Sequence, residues 1–360
     1  YFNLDQFQSQ LIDFAFYGAY YLGALLLFIF SGTIKTDIIN KWGYKNSIIY
    51  GLFISAFGAL IMIPAVQSES FNYILGALFI VALGFSLQQT AAQPFAVSLG
   101  KPETASHRLN LAGGVNSFGT TIGPIVVALA LFGTTSKDIE SWVNSSEFSI
   151  SSINYLYIAV ASLFIMAGLL FIFSKNLPEA KNDPTFESAP KATISLSIIT
   201  LALIVIFFFV FRQYSFDTID SELIFQLMII ALIVIVGGLF FANKSAQIKS
   251  EGWGAMKYPQ LVWGMLAIFT YVGVEVTIQS NMGELLSTKA FGALKPSQIA
   301  PYISMYWGSL MIGRWAGAIT VFKPKKKLKR ILFIVVPYIA FAIILLVNFI
   351  TNNDINGLYL

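Results

Sequence analysis

Residues 198–211 read IITLALIVIFFFVF, and Thr200 is the one polar side chain among them. A helix turns once every 3.6 residues, so this run offers no polar face to water. A transmembrane β-strand would be about 10 residues of alternating polarity. The stretch, with its start at 194, therefore reads as a helix within a bilayer. Working outward, nine more apolar runs of similar length follow the same logic. The ten lie at 11–30, 46–66, 71–97, 109–133, 153–174, 194–211, 223–242, 259–282, 302–322 and 331–350. Within them only Asp13, Glu275 and Arg314 are charged. The whole chain agrees: 360 residues, 56% hydrophobic and 11% charged, with a mean hydropathy of +0.73. Soluble domains carry about 25% charge. This composition excludes disorder, a coiled coil, a secreted globular enzyme and, without cysteine, a disulfide scaffold. The fold class is an all-α polytopic membrane protein of about ten transmembrane helices.

The connections after spans 1, 3, 5, 7 and 9 carry seventeen Lys and Arg, and the alternate connections carry four, Lys137, Arg212, Lys289 and Lys295. The positive-inside rule places the basic set in the cytoplasm, so both chain ends are predicted to be external. The densest basic run, residues 323–330, is read as a topology anchor rather than a nucleic-acid site. Two polar connections divide the chain, a serine-rich one at 134–152 and a proline-marked one at 175–193. Spans 6 and 7, at 194–242, lack internal charge and are expected to be lipid-facing helices inserted between two functional units. The expected division is an N-terminal helical bundle at 1–174, a linker with two extra helices at 175–258, and a partial C-terminal bundle at 259–360.

Spans 3, 4, 8 and 9 have another character. Gly119 and Gly123 are four residues apart, as are Gly313 and Gly317, a spacing that permits close helix approach. Pro94 and Pro124 are expected to break or bend their helices. Side-chain amides in hydrocarbon cost several kcal/mol unless they are bonded or face water. Gln89 and Gln93 share a face of span 3, Asn116 falls at comparable depth on span 4, and Glu275 and Gln279 share a face of span 8. Asp13, Tyr17 and Tyr21 form a stripe on span 1. Neutral amides beside aromatic faces suit polyols, which present hydroxyl groups and apolar C–H faces. Interhelical bonding, an interface belt or simple solvation are the alternatives for these groups. Glu275, read as a lone carboxylate, is a proton-carrier candidate or else a static partner. Arg314 is read as a packing or gating residue.

Soluble-type chemistry is missing from the sequence. His107 is the single histidine, and there is no cysteine, carboxylate cluster for a metal, phosphate loop or nucleophile elbow. No cofactor is expected, and an enzyme, a channel and a receptor all rank behind a solute carrier.

Four blocks then carry a resemblance: Gln89-Thr-Ala-Ala-Gln93-Pro94-Phe95, Ser98-Leu-Gly100, Arg108-Leu-Asn-Leu-Ala112 and Asn116-Ser-Phe-Gly119. Tyr271-Val-Gly273-Val-Glu275, Tyr306-Trp307-Gly308 and Gly313-Arg314 accompany them. Together they resemble the major facilitator superfamily, in its fucose/galactose/gluconate–proton symporter branch, and look closest to bacterial glucose/galactose-type members. The resemblance implies a monomeric carrier in the bacterial inner membrane. It would move a hexose such as glucose, galactose or fucose by alternating access with proton symport, with a sugar uniporter or a drug/proton antiporter as the alternatives. Gln89, Gln93, Asn116, Gln279, Tyr17 and Tyr306 would contact the sugar, with Glu275 and Asp13 as proton-coupling candidates. Arg314, Pro94, Gly119 and Gly123 would serve gating and structure. Gln89 stands where such symporters often carry a coupling Glu, and Glu275 where they carry Gln. By the same resemblance, spans 1 to 5 match family helices 2 to 6, and spans 8 to 10 match helices 7 to 9. The expectation is a chain without the family's first helix and its last three.

Overall fold

The computed structural model describes residues 6–132, 150–175, 177, 186–214, 219–294 and 296–350. Most of the serine-rich 134–152 connection and much of the 175–193 linker, with Lys137 and Lys295, lie outside the described residues. Ten long helices match the ten apolar runs: α1 Gln6–Ile34, α2 Tyr44–Gln67, α3 Phe71–Ser98, α4 Ala105–Phe132, α5 Ile150–Phe173, α6 Pro190–Gln213, α7 Ser221–Ile248, α8 Pro259–Ser287, α9 Pro296–Ala318 and α10 Lys326–Ile350. Seven of them are long and apolar enough over their described residues to cross a bilayer. The described stretches of α4, α9 and α10 fall short on length, hydropathy or charge. α3 runs unbroken through Pro94, and α4 runs unbroken past position 124. The expected breaks are absent, because a bilayer offers a freed carbonyl no water and the remaining helical bonds hold the segment together.

α2 is the most enclosed helix, lying against α3 on one side and α5 on another. Without a hydrophobic driving force between helices in lipid, close backbone approach and polar bonds must hold such a crossing. Ser55 Oγ donates to Val81 O at 3.1 Å, and Gln88 Nε2 donates to Ser55 Oγ at 3.0 Å. Gly51 and Gly84 let the two backbones meet: a Cβ at Gly84 would sit 2.3 Å from Ser55 Oγ and 2.5 Å from Gly51 O. Backbone cannot yield cheaply, so Gly84→Val should cost roughly 1–3 kcal/mol or more, the range for overpacking. A thermal unfolding midpoint unchanged in detergent would contradict this crossing. Ile48, Leu52, Leu87, Ala91 and Phe95 form the core beside it, with Phe164 and Phe171 of α5 packed against them.

The ends of the helices are fastened by basic side chains. Lys45 Nζ donates to Ser174 O at 2.8 Å, tying the start of α2 to the end of α5. Arg108 donates to Ala96 O, Val97 O, Lys101 O and Thr104 Oγ1, satisfying carbonyls that the end of α3 leaves open. Outside the spans, Lys257 pairs with Glu187 at 2.9 Å, and this hydrogen bond raises the Lys257 pKa above its ordinary value.

α6 and α7 form a hairpin with many large side chains exposed, among them Ile198, Leu201, Phe208 and Phe241. One edge of it is engaged. Tyr21 Oη of α1 and Thr200 Oγ1 of α6 lie 2.7 Å apart; Thr200 donates to Leu196 O, which leaves Tyr21 as the donor to Thr200. Phe14 of α1 stacks on Phe207 and Phe211 of α6 at 5.1 and 5.0 Å. These contacts explain why Thr200, the single polar residue of the deciding run, is buried.

Candidate functional site

α4 and α9 run antiparallel in one of the most extensive helix contacts of the fold. The pairs along the seam are His107 with Thr320, Asn110 with Gly317, Gly114 with Trp315, Ser117 with Arg314, and Thr121 with Gly308. From 107 to 121 the seam is about 21 Å long at 1.5 Å per residue. A Cβ on Gly114 would fall 2.2 Å from Trp315 Cδ1, so glycine is what admits this indole. Phe118 lies beside the same ring at 6.1 Å. Among the described residues, nothing lies within 4 Å of a Cβ built on Gly119, Gly123 or Gly313. Those glycines share a helical spacing but face open space. The close approach is made instead by Gly114 and by Gly317, whose Cβ would meet Asn110 at 3.2 Å.

Arg314 is the centre of this region. Its Nη2 donates to Glu275 Oε1 at 3.1 Å and to Tyr271 Oη at 3.0 Å, both on α8. Its Nη1 donates to Ser117 Oγ and, at 3.3 Å, to Gly113 O, both on α4. Each helix thus offers a pair of groups one turn apart, which matches the fixed fork of a guanidinium. Glu275 is 7% exposed and is therefore a buried carboxylate held by a cation, not a lone one. Tyr306 of α9 donates to Glu275 O at 3.1 Å. Charges at membrane depth persist when paired in this manner. Ser117 and Tyr271 were not singled out from sequence as partners, although both sit inside quoted motifs. The available signal was their four-residue spacing from Gly113 and Glu275.

A second meeting point lies between α1 and α8. Ser280 Oγ donates to Asp13 Oδ2 at 2.6 Å, and Gln10 Nε2 donates to Asn281 Oδ1 at 3.5 Å. Tyr17 lies one turn beyond Asp13 on α1 and is exposed. On α3, Gln93 Nε2 donates to Gln89 Oε1 at 3.4 Å, with Gln89 half-buried and Gln93 exposed. Asn116 is exposed one residue before Ser117, and Gln279 is half-buried one turn beyond Glu275. Among the described residues, no hydrogen bond joins Gln89, Gln93, Asn116 or Gln279 to the Arg314 group or to Asp13. The structure therefore brings together Glu275, Arg314 and Tyr306, and separately pairs Gln89 with Gln93.

Comparison with known proteins decides the family. A family model described as Major Facilitator Superfamily matches residues 1–360. The chain belongs to the major facilitator superfamily. It is thus a multi-pass membrane protein of a family of transporters rather than of enzymes. Among major facilitator relatives, the glucose/galactose transporter of Brucella abortus is 26% identical over 317 residues, which is 88% of this chain and 59% of that one. The L-fucose-proton symporter of Escherichia coli is 32% identical over 213 residues, 56% of this chain and 46% of that one. A crystal structure of the major facilitator transporter FucP in the outward conformation covers 99% of this chain and 86% of that one, at 19% identity and a TM-score of 0.41. The chain spans about three fifths of the length of the Brucella transporter.

Proposed function

We propose that this protein carries a monosaccharide of the hexose type across the bacterial inner membrane by alternating access, in symport with protons. The substrate class rests on one observation above the others: the alignment with a glucose/galactose transporter along 88% of this chain. In this reading residues 1–174 form one bundle and residues 259–360 part of the other, rocking about a site near the bilayer midplane. Gln89, Gln93 and Asn116 bond sugar hydroxyls from the first bundle. Gln279 and Tyr306 do so from the second, and Tyr17 offers its ring to an apolar sugar face. Open amide groups at these positions support the assignment, since Asn116 and Gln93 are exposed and Gln279 is half-buried.

With the basic connections in the cytoplasm, the α4–α9 seam closes the cytoplasmic side and the Asp13–Ser280 contact lies toward the outside. Opening the cytoplasmic side means parting Arg314 from Ser117 and Gly113. Glu275 and Arg314 belong to the same bundle and stay together through that step. A proton taken up by Glu275 removes the charge that orients Arg314, which supplies a route from protonation to gating.

Sugar flux in proteoliposomes, measured over a hexose panel with and without a pH gradient, tests the reading. Uptake should saturate with one or more hexoses, and an inward proton gradient should drive accumulation. Gln89→Ala and Gln279→Ala should each lower kcat/KM by roughly tenfold, the loss of one or two hydrogen bonds. Unchanged uptake in both variants would refute the site. Glu275→Gln should end accumulation while sparing counterflow exchange; accumulation that persists would move coupling to Asp13.

A further inference from the structure

A cavity of about 460 Å³ opens between α1, α6, α7 and α8. Of the sequence-predicted site residues, Asp13 and Tyr17 line it, and Gln89, Gln93, Asn116, Gln279 and Tyr306 do not. Its wall is a cluster of rings: Phe14, Phe207 and Phe211 lie 5.0 to 6.0 Å apart. Met228 of α7 completes the apolar lining. One charged group faces this wall. Asp13 accepts a single hydrogen bond, from Ser280, and among the described residues no cation pairs with it. That sets it apart from Glu275, which Arg314 holds.

We propose that this cavity is a binding site for a hydrophobic organic cation. Its positive centre would rest against Asp13 and Tyr17, and its apolar groups against the phenylalanine cluster. The chemistry selects this class on three counts. A half-buried carboxylate with no cation beside it among the described residues favours a positive ligand and repels an anion. Aromatic faces attract a weakly hydrated cation and favour a quaternary centre over a small, strongly hydrated one. A neutral polyol would satisfy Asp13 but leave the ring cluster wetted, whereas a cation with apolar substituents covers both. The volume falls within the usual range of small-molecule pockets, about 300–1,000 Å³. The walls also include the α6–α7 hairpin, which the proposed sugar site does not use.

Equilibrium binding of radiolabelled tetraphenylphosphonium to the purified protein in dodecyl maltoside tests the proposal. Saturable binding is expected, with the uncharged triphenylphosphine oxide failing to compete. Asp13→Asn should weaken binding by about tenfold or more, and Phe211→Ala by roughly threefold, in keeping with the loss of a charge and of one ring face. Phe211→Ala carries the test if size-exclusion chromatography shows that Asp13→Asn does not fold. The proposal is overturned by absent binding, by equal competition from the uncharged compound, or by wild-type affinity in Phe211→Ala.

Discussion

Arg314→Ala is expected to abolish sugar exchange and to lower the thermal unfolding midpoint by several degrees. This guanidinium donates five hydrogen bonds, to two groups on α4 and two on α8. Its removal leaves Glu275 a carboxylate at 7% exposure without a counter-ion. Breaking a buried pair from one side costs about 3–5 kcal/mol; Arg314 is 24% exposed, which places the cost toward the lower end. The double variant Arg314→Ala/Glu275→Gln should recover part of the loss, because a neutral amide is cheaper to bury than an unpaired charge. Lysine in place of Arg314 should not rescue, since a point charge cannot reach across four acceptors on two helices. Fluorescence-monitored melting of the three variants, with counterflow in proteoliposomes, checks the set. Equal midpoints for the wild type and Arg314→Ala would mean that the network contributes nothing to holding α4, α8 and α9 together.

Gly114→Val should have the second largest effect, on the other side of the same seam. Even the first carbon of a side chain here would lie 2.2 Å from Trp315 Cδ1 and 2.6 Å from Nε1. These are inner atoms of a rigid ring, so relief requires the indole to swing out or α4 and α9 to separate. Separation breaks the Arg314–Ser117 bond as well, which couples the packing fault to the polar network. The expected result is loss of transport with a smaller change in folding stability, about 1–3 kcal/mol. Pairing Gly114→Val with Trp315→Ala should restore a measurable part of the flux by making room for the new side chain. If Gly114→Val transports like the wild type, the contact is not kept during the cycle.

Both effects turn on features the sequence revealed unevenly. Every apolar run became a helix, because length and composition alone decide that a segment such as 198–211 must satisfy its backbone internally. Partners were another matter. Gly119 and Gly123 have the spacing of a packing face, yet no atom of the described residues lies within 4 Å of their built Cβ positions; the close contact belongs to Gly114. Periodicity assigns residues to a face but does not say which face meets another helix. Glu275 and Arg314 were each conspicuous as charges in apolar runs, but they lie 39 residues apart on separate helices. Only the crossing of α8 with α9 turns two isolated charges into a pair. Ser117 and Tyr271 were hidden for a related reason: a hydroxyl in a helix is ordinary until a guanidinium is brought beside it. Pro94 shows the reverse, a strong local signal that the continuous α3 overrides.

The hydrogen bond from Tyr21 to Thr200 and the ring stacking of Phe14 on α6 moor the α6–α7 hairpin to α1. A helix that tilts with such a mooring cannot slip through lipid alone; it sweeps two further helices, studded with exposed Ile and Phe, through the acyl chains. The moving body is broader, and the drag on it grows with the viscosity and thickness of the surrounding bilayer. In the proposed transport cycle, lipid composition is thereby a mechanical load on turnover, passed on through one hydroxyl pair and the Phe14 stack.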